Sequence, residues 1–232
     1  MIELDGGQIA AVEELRSGKI LCGGVGSGKS LTSLAWYYRM EGGKFKIRED
    51  DGKRYASMPD LLVKPSDLYI ITTAKKRDSK DWERELSNIC MAPGDDIYQN
   101  KVTIDSWNNI GKYVDIQNAY FIFDEQRIVG SGAWVKAFYK IAAKNLWILL
   151  SATPGDKWED YIPVFVANHF YRNKTDFIHR HVIYKFGMNF PVVDRYWDEQ
   201  RLTALRDSLL INLDYLRPTT RHHYYSVTSY NR

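Results

Sequence analysis

Cysteine is nearly absent from this 232-residue chain. Cys22 and Cys90 are the two present, too few for a disulfide scaffold and without metal-ligand spacing, which points to a reducing, cytoplasmic setting. Charge of one sign is missing too: 32 Lys+Arg stand against 29 Asp+Glu, net +3, so composition alone predicts no polyanion partner. Long hydrophobic runs are lacking. The longest, such as Leu146 to Leu150, have strand length, far short of the ~20 residues of a membrane span, and the acidic N-terminus does not suit a signal peptide. The reading is a soluble, unprocessed protein with no membrane partner. All five histidines follow Pro154, but His179, His181, His222 and His223 have no Cys or second helical pair to complete a tetrahedral zinc set.

What is plentiful is core material: 44% of the residues are apolar, enough for one large domain. Helical spacing from Ile9 to Leu15 gives way to an apolar run, Ile20-Leu21-Cys22. The alternation returns with predicted strands at Leu68 to Thr73, Val102 to Ile104, Ala119 to Phe123 and Leu146 to Leu150, separated by helices near 31–40, 79–90, 106–112 and 132–143. Runs such as Tyr120-Phe121-Ile122-Phe123 lack polar alternation and suit strands covered on both faces, as in a mostly parallel sheet flanked by helices. The fold class is therefore α/β. Between Glu41 and Pro65 a Gly-, Lys- and Asp-rich stretch centred on Asp51-Gly52 predicts a hairpin in a surface insertion, about 42–65. After Pro154 the pattern predicts helices at 158–169, 174–182 and 198–209, a mainly helical extension.

Gly23-Gly24-Val25-Gly26-Ser27-Gly28-Lys29-Ser30 satisfies G-x-x-x-x-G-K-[ST] between a predicted strand and a predicted helix, the context of a phosphate-binding P-loop. Glycines let successive backbone N–H groups curl around a phosphate, the helix N-terminus adds its positive end, Lys29 reaches the β- and γ-phosphates and Ser30 reaches Mg²⁺. The expected cofactors are ATP and Mg²⁺. A P-loop also needs an acidic strand end, and Phe121-Ile122-Phe123-Asp124-Glu125 supplies two carboxylates. Adjacent residues leaving a strand diverge, so Asp124 is assigned to the metal and Glu125 to accepting a proton from an attacking water. Taken alone, an Asp-Glu pair also fits a helix cap or a solvated turn.

One helix and one strand later comes Ser151-Ala152-Thr153-Pro154, which resembles motif III of superfamily 2 helicases and translocases. Gln8, upstream of the P-loop, resembles the glutamine that reads the adenine edge in that superfamily. Asp124-Glu125-Gln126-Arg127 is similar to its Asp-Glu-Ala-Asp box, with Arg127 replacing the fourth residue. Ile71 to Arg77, with Trp82 and Glu85 after it, is similar to motif Ia of the Swi/Snf-like branch, and Ile104-Asp105-Ser106-Trp107 stands where its next nucleic-acid motif does. The resemblance, to a phage or prophage version, implies a first RecA-like lobe over 1–154 and an extension over 155–232 toward a second lobe. It further implies that Gln126, Arg127, Ser151, Ala152 and Thr153 couple the nucleotide to nucleic acid.

Lys75, Lys76 and Arg77 lie just past a strand end, where open α/β sheets bind ligands, and Thr73 and Ser106 occupy similar positions. These residues are assigned to sequence-independent contacts with DNA phosphates. Alone, the basic triplet also reads as a solvated helix start. Trp36, Trp134 and Trp147 fall at apolar-periodic positions and are read as core, leaving Trp107 as the candidate base-stacking side chain. A second-lobe partner is expected, since superfamily 2 engines close two lobes on ATP and 78 residues after Pro154 leave no room for another. A DNA-packaging motor ATPase and a non-catalytic ATP-gated DNA-binding module are the alternatives.

Overall fold

The computed structural model describes residues 3–60, 62, 64–88, 101–125 and 128–213. Cys90, Gln126, Arg127, the Pro218 to Arg221 segment, His222 and His223 lie outside the described residues. The elements run β1 (Leu4–Asp5), α1 (Gly6–Glu14), β2 (Ile20–Cys22), α2 (Lys29–Met40), β3 (Lys46–Asp50), β4 (Lys53–Ser57), β5 (Leu68–Thr72), α3 (Ala74–Asp78) and α4 (Asp81–Asn88). They continue with β6 (Val102–Ser106), a 3₁₀ helix (Trp107–Tyr113), β7 (Tyr120–Asp124), α5 (Ala133–Ala142), β8 (Leu146–Ser151), α6 (Trp158–Ala167) and α7 (Lys174–His181). Last come β9 (Val182–Tyr184), β10 (Val193–Tyr196), α8 (Glu199–Leu209) and β11 (Leu210–Asn212).

The core is a six-stranded sheet in the order β11-β2-β8-β7-β5-β6. Every neighbouring pair in it is parallel. Period-two alternation along these strands sorts side chains between two apolar clusters. Leu21, Ile70, Ile122, Ile148 and Leu150 pack with α1, α2 and α4 on one face. Ile20, Ile71, Phe121, Phe123 and Leu149 pack with α5, α6 and α7 on the other. Both faces being covered explains why the strand sequences carry no polar alternation.

Outside this sheet, β3 and β4 form the hairpin expected at Asp51-Gly52, and β1 adds to it antiparallel. Both turn residues have positive φ, 48° at Asp51 and 70° at Gly52, as a two-residue hairpin turn of the primed type requires.

Helices after Pro154 fall close to the expected ranges, but this region is not only helical. β9 and β10 pair as a hairpin, and β11 joins the central sheet beside β2. Tyr161, Phe165, Phe177 and Leu202 enter the same cluster as Phe121 and Phe123, so residues 155–213 share the core of what precedes them. Strands of three or four residues, two of them continuing directly from a helix, leave no period for a sequence pattern to detect.

Two tryptophans depart from expectation. Trp134, read as core, is 38% exposed at the start of α5. Trp107, read as a base-stacking candidate, is 2% exposed. It stacks on Phe123 with ring centroids 5.4 Å apart. No helix among the described residues is long and apolar enough to cross a membrane.

Candidate nucleotide site

The phosphate loop links the end of β2 to the start of α2. Gly28 has φ +81°, a backbone angle that favours glycine, and a Cβ there would lie 2.3 Å from Gln8 Nε2, so the Gln8 amide would have to shift to admit one. A Cβ on Gly23 would sit 2.5 Å from Ser27 Oγ. That hydroxyl is buried and has no hydrogen-bond partner among the described residues. A glycine cradle enclosing an orphaned buried hydroxyl fits a polar group seated in the loop. Lys29 folds back across the loop, its Nζ donating to Gly23 O at 2.5 Å and Gly24 O at 2.8 Å. Burial first, then the charge of Lys76, pushes the Lys29 pKa down.

Gln8 lies beside the loop, but deeper than a residue waiting for a base. Helix α1 begins before it, so it occupies the first turn and completes a capping box with Asp5: Gln8 N donates to Asp5 Oδ1, and Asp5 N to Gln8 Oε1. Its Nε2 reaches Gly28 O at 3.4 Å and Thr32 Oγ1 at 3.3 Å, and the residue is 7% exposed. In this conformation Gln8 ties α1 to the phosphate loop.

Asp124 ends β7 facing the loop, with a side chain 1% exposed. Its Oδ2 accepts from Thr72 Oγ1 at 2.9 Å, Trp82 Nε1 at 3.0 Å and Lys76 Nζ at 3.1 Å. Its backbone carbonyl accepts from Trp107 Nε1 at 3.0 Å. Glu125 follows with φ 58°, a left-handed conformation costly for a side-chain-bearing residue. Its carboxylate lies 2.6 Å from Lys76 Nζ. Burial works against the Lys76 charge, but Asp124 and Glu125 outweigh it and the Lys76 pKa is raised.

Strand β8 runs between β2 and β7, which sets Ser151 opposite Cys22. Gly23 N donates to Ser151 O at 3.2 Å, and Thr153 N donates to Ser151 Oγ at 3.1 Å. Ala152 reaches the cavity between the loop and the carboxylates. This cavity, about 350 Å³, is bounded by the Val25 to Ser30 loop on one side and by Lys76, Trp82, Glu85, Asp124 and Glu125 on the other. A larger open hollow of about 830 Å³ lies between the start of α6 and β10. The P-loop glycines line the smaller cavity and not this one.

The residues assigned to nucleic acid come together at the C-terminal ends of β5 and β6, where Thr72 pairs with Ser106. Their side chains are largely spent on the protein itself. Thr73 caps α3, accepting from Lys76 N. Arg77 pairs with Asp78 and Asp105 and donates to Ser106 Oγ. Ser106 and Trp107 are buried. Lys75 is the member of the set that is exposed. Sequence reasoning missed that Thr72, Lys76 and Trp82 converge on Asp124. Trp82 and Leu86 share the buried face of α4, and no local spacing rule pairs an indole with a carboxylate 42 positions away.

Glycine cradle, strand-end carboxylates and parallel sheet together define a RecA-like P-loop domain. Among solved structures, the Sulfolobus solfataricus SWI2/SNF2 ATPase core domain matches with a TM-score of 0.56 at 16% identity, over 88% of this chain and 42% of that one. The UvsW helicase from bacteriophage T4 matches with a TM-score of 0.45 at 16% identity, covering 70% of this chain and 56% of that one. The Pyrococcus furiosus Hef helicase domain matches with a TM-score of 0.49 at 15% identity, covering 78% and 40%. The chain thus spans less than half the length of the SWI2/SNF2 core, whose α/β fold it shares over most of its own length. No protein-family model and no curated protein sequence matches it.

Proposed function

We propose that this chain is the ATP-binding first lobe of a superfamily 2 DNA helicase or translocase, completed by a second RecA-like lobe. The observation that carries the reading is the convergence of Lys29, Ser30, Asp124 and Glu125 on one cavity. Backbone N–H groups from Gly23 to Gly28 and the Lys29 ammonium bind the phosphates, for which Lys29 leaves the Gly23 and Gly24 carbonyls. Ser30 and Asp124 would hold Mg²⁺, which when bound offsets charge on the phosphate oxygens. Glu125 holds the proton removed from water at its carboxylate. Gln8 sets the position of the loop and reads the adenine edge once its amide lets go of Gly28 and Thr32.

The Ser151 to Thr153 segment carries the state of this cavity outward, supported by the Gly23 N to Ser151 O bond, and Gln126 and Arg127 share in that coupling. Contact with DNA phosphates falls to the Thr73 to Arg77 rim, led by Lys75. Binding and turnover of Mg-ATP test the reading, measured on the full chain with DNA and candidate second-lobe proteins added. Lys29→Ala is expected to abolish binding, while Glu125→Gln keeps binding and lowers kcat by roughly 10²–10⁴-fold. Unchanged binding in the first variant and unchanged turnover in the second would reject the assignment.

A further inference from the structure

Two lysines face the phosphate cavity, and the P-loop motif accounts for one of them. The other, Lys76, projects from α3 and places its ammonium 3.1 Å from Asp124 Oδ2 and 2.6 Å from Glu125 Oε1. Those are the carboxylates to which the metal and the proton were assigned. Asp124 Oδ2 already accepts from two neutral donors, Thr72 and Trp82, which orient it without neutralising it. Lys76 is the cation that balances the pair, and its side chain is three-quarters buried in doing so.

We infer that Lys76 is a resident countercation of the Asp124–Glu125 pair that competes with a divalent ion for the same carboxylates and withdraws when the ion binds. This inference rests on the nucleotide-site reading. A divalent ion bound directly to Asp124 Oδ2 at about 2.1 Å would lie no more than about 5 Å from an ammonium 3.1 Å from that oxygen. Three positive charges within that span repel beside a carboxylate that is almost wholly buried. Oδ2 already accepts from Thr72, Trp82 and Lys76, so an ion bound there takes the place of one of them. The neutral donors remain compatible with a metal; the ammonium does not. Because Lys76 lies between Lys75 and Arg77 on the short α3, its withdrawal changes the charge presented at the rim assigned to DNA. Neutralising the carboxylates and gripping the rim thereby become exclusive uses of one side chain, and loading of the cavity favours the second.

The test needs no turnover. Mn²⁺ binding to the full chain, without nucleotide, is measured by electron paramagnetic resonance for the wild type, Lys76→Met, Lys76→Gln and Lys76→Arg, with each variant's fold checked by circular dichroism. Removing the ammonium is expected to tighten Mn²⁺ by roughly tenfold or more, as expected for loss of a close like-charge repulsion. Lys76→Arg, which keeps the charge, is expected to restore weak binding, an outcome that a merely structural role does not produce. Lys76→Gln covers the case in which Lys76→Met fails to fold, since it keeps a donor to the carboxylates. Unchanged or weaker Mn²⁺ affinity in the folded neutral variants, while the wild type still binds Mg-ATP, overturns the inference and leaves the nucleotide reading standing. Failure of the wild type to bind Mg-ATP removes both.

Discussion

The indole of Trp82 donates to the Asp124 carboxylate across 3.0 Å, joining the buried face of α4 to the end of β7. Thr72 donates to the same oxygen from the neighbouring strand β5. A carboxylate almost wholly removed from water is tolerable because these donors replace the water it lost.

Trp82→Phe keeps one aromatic ring but deletes the donor and the second ring of a fully buried indole, so its expected cost exceeds the about 1.5–3 kcal/mol of one hydrogen bond to a charged group. Urea denaturation at neutral pH measures it. In an Asp124→Asn background the same substitution should cost less, and a double-mutant cycle gives the difference. Equal costs in the two backgrounds would mean that Trp82 stabilises by packing alone.

Glu125 is held at φ 58°, and glycine adopts that conformation freely. Glu125→Gly should therefore stabilise the fold by about 1 kcal/mol through relief of backbone strain while eliminating ATP turnover. Thermal melting and a turnover assay report the two effects separately. A drop in Tm would show that the carboxylate's pairing with Lys76 outweighs the strain.

Gly28→Ala places a methyl against the Gln8 amide at a backbone angle that alanine disfavours. A loss of about 1–3 kcal/mol is expected. Combining it with Gln8→Ala should recover the steric part and not the part due to φ. Denaturant melts of the two single variants and the double separate these contributions.

Glu85 borders the cavity, and burial, followed by the charge of Asp81, raises its carboxyl pKa above the usual range. The folded state therefore holds this proton more tightly than the unfolded chain does. Stability from that proton is fully present below the ordinary carboxylate pKa of about 4.3 and is lost as pH rises through the raised folded value. Glu85→Gln should remove this downward slope and leave the variant more stable than wild type at neutral pH. Urea melts on both sides of the transition provide the check.

Lys75 is exposed at the rim while its neighbours are committed to intramolecular pairs. Lys75→Ala is expected to weaken DNA binding without regard to sequence and to reduce the slope of log affinity against log salt by about 1. Fluorescence anisotropy over a salt series measures both. An unaltered slope would place the DNA contact elsewhere.

Much of the sheet was legible because buried parallel strands write themselves as unbroken apolar runs. Phe121, Ile122 and Phe123 read as a strand for the same reason that they are fully buried. The P-loop was legible because its conformation admits few residues besides glycine. The hidden parts depend on partners distant in sequence. Nothing near Trp107 states that its indole will spend itself on the Asp124 carbonyl. Nothing within Lys75-Lys76-Arg77 reveals that the second lysine turns inward and the arginine turns to Asp105. Basic residues signal an acidic partner, but not whether that partner is DNA or the protein's own carboxylates. β11 escaped notice because three residues hold too little alternation to separate a strand from the end of α8.

That last strand also sets how force travels. Leu213, just past β11, donates its N–H to the carbonyl of Cys22 at 2.8 Å, and Cys22 is the last residue of β2, directly before Gly23. A pull on the backbone at Leu213 therefore arrives first at β11 and its pairing with β2, the strand that leads into the glycine loop. Single-molecule stretching from that point would load the β11–β2 pairing, and with it the residue before Gly23, ahead of the strands farther along the sheet.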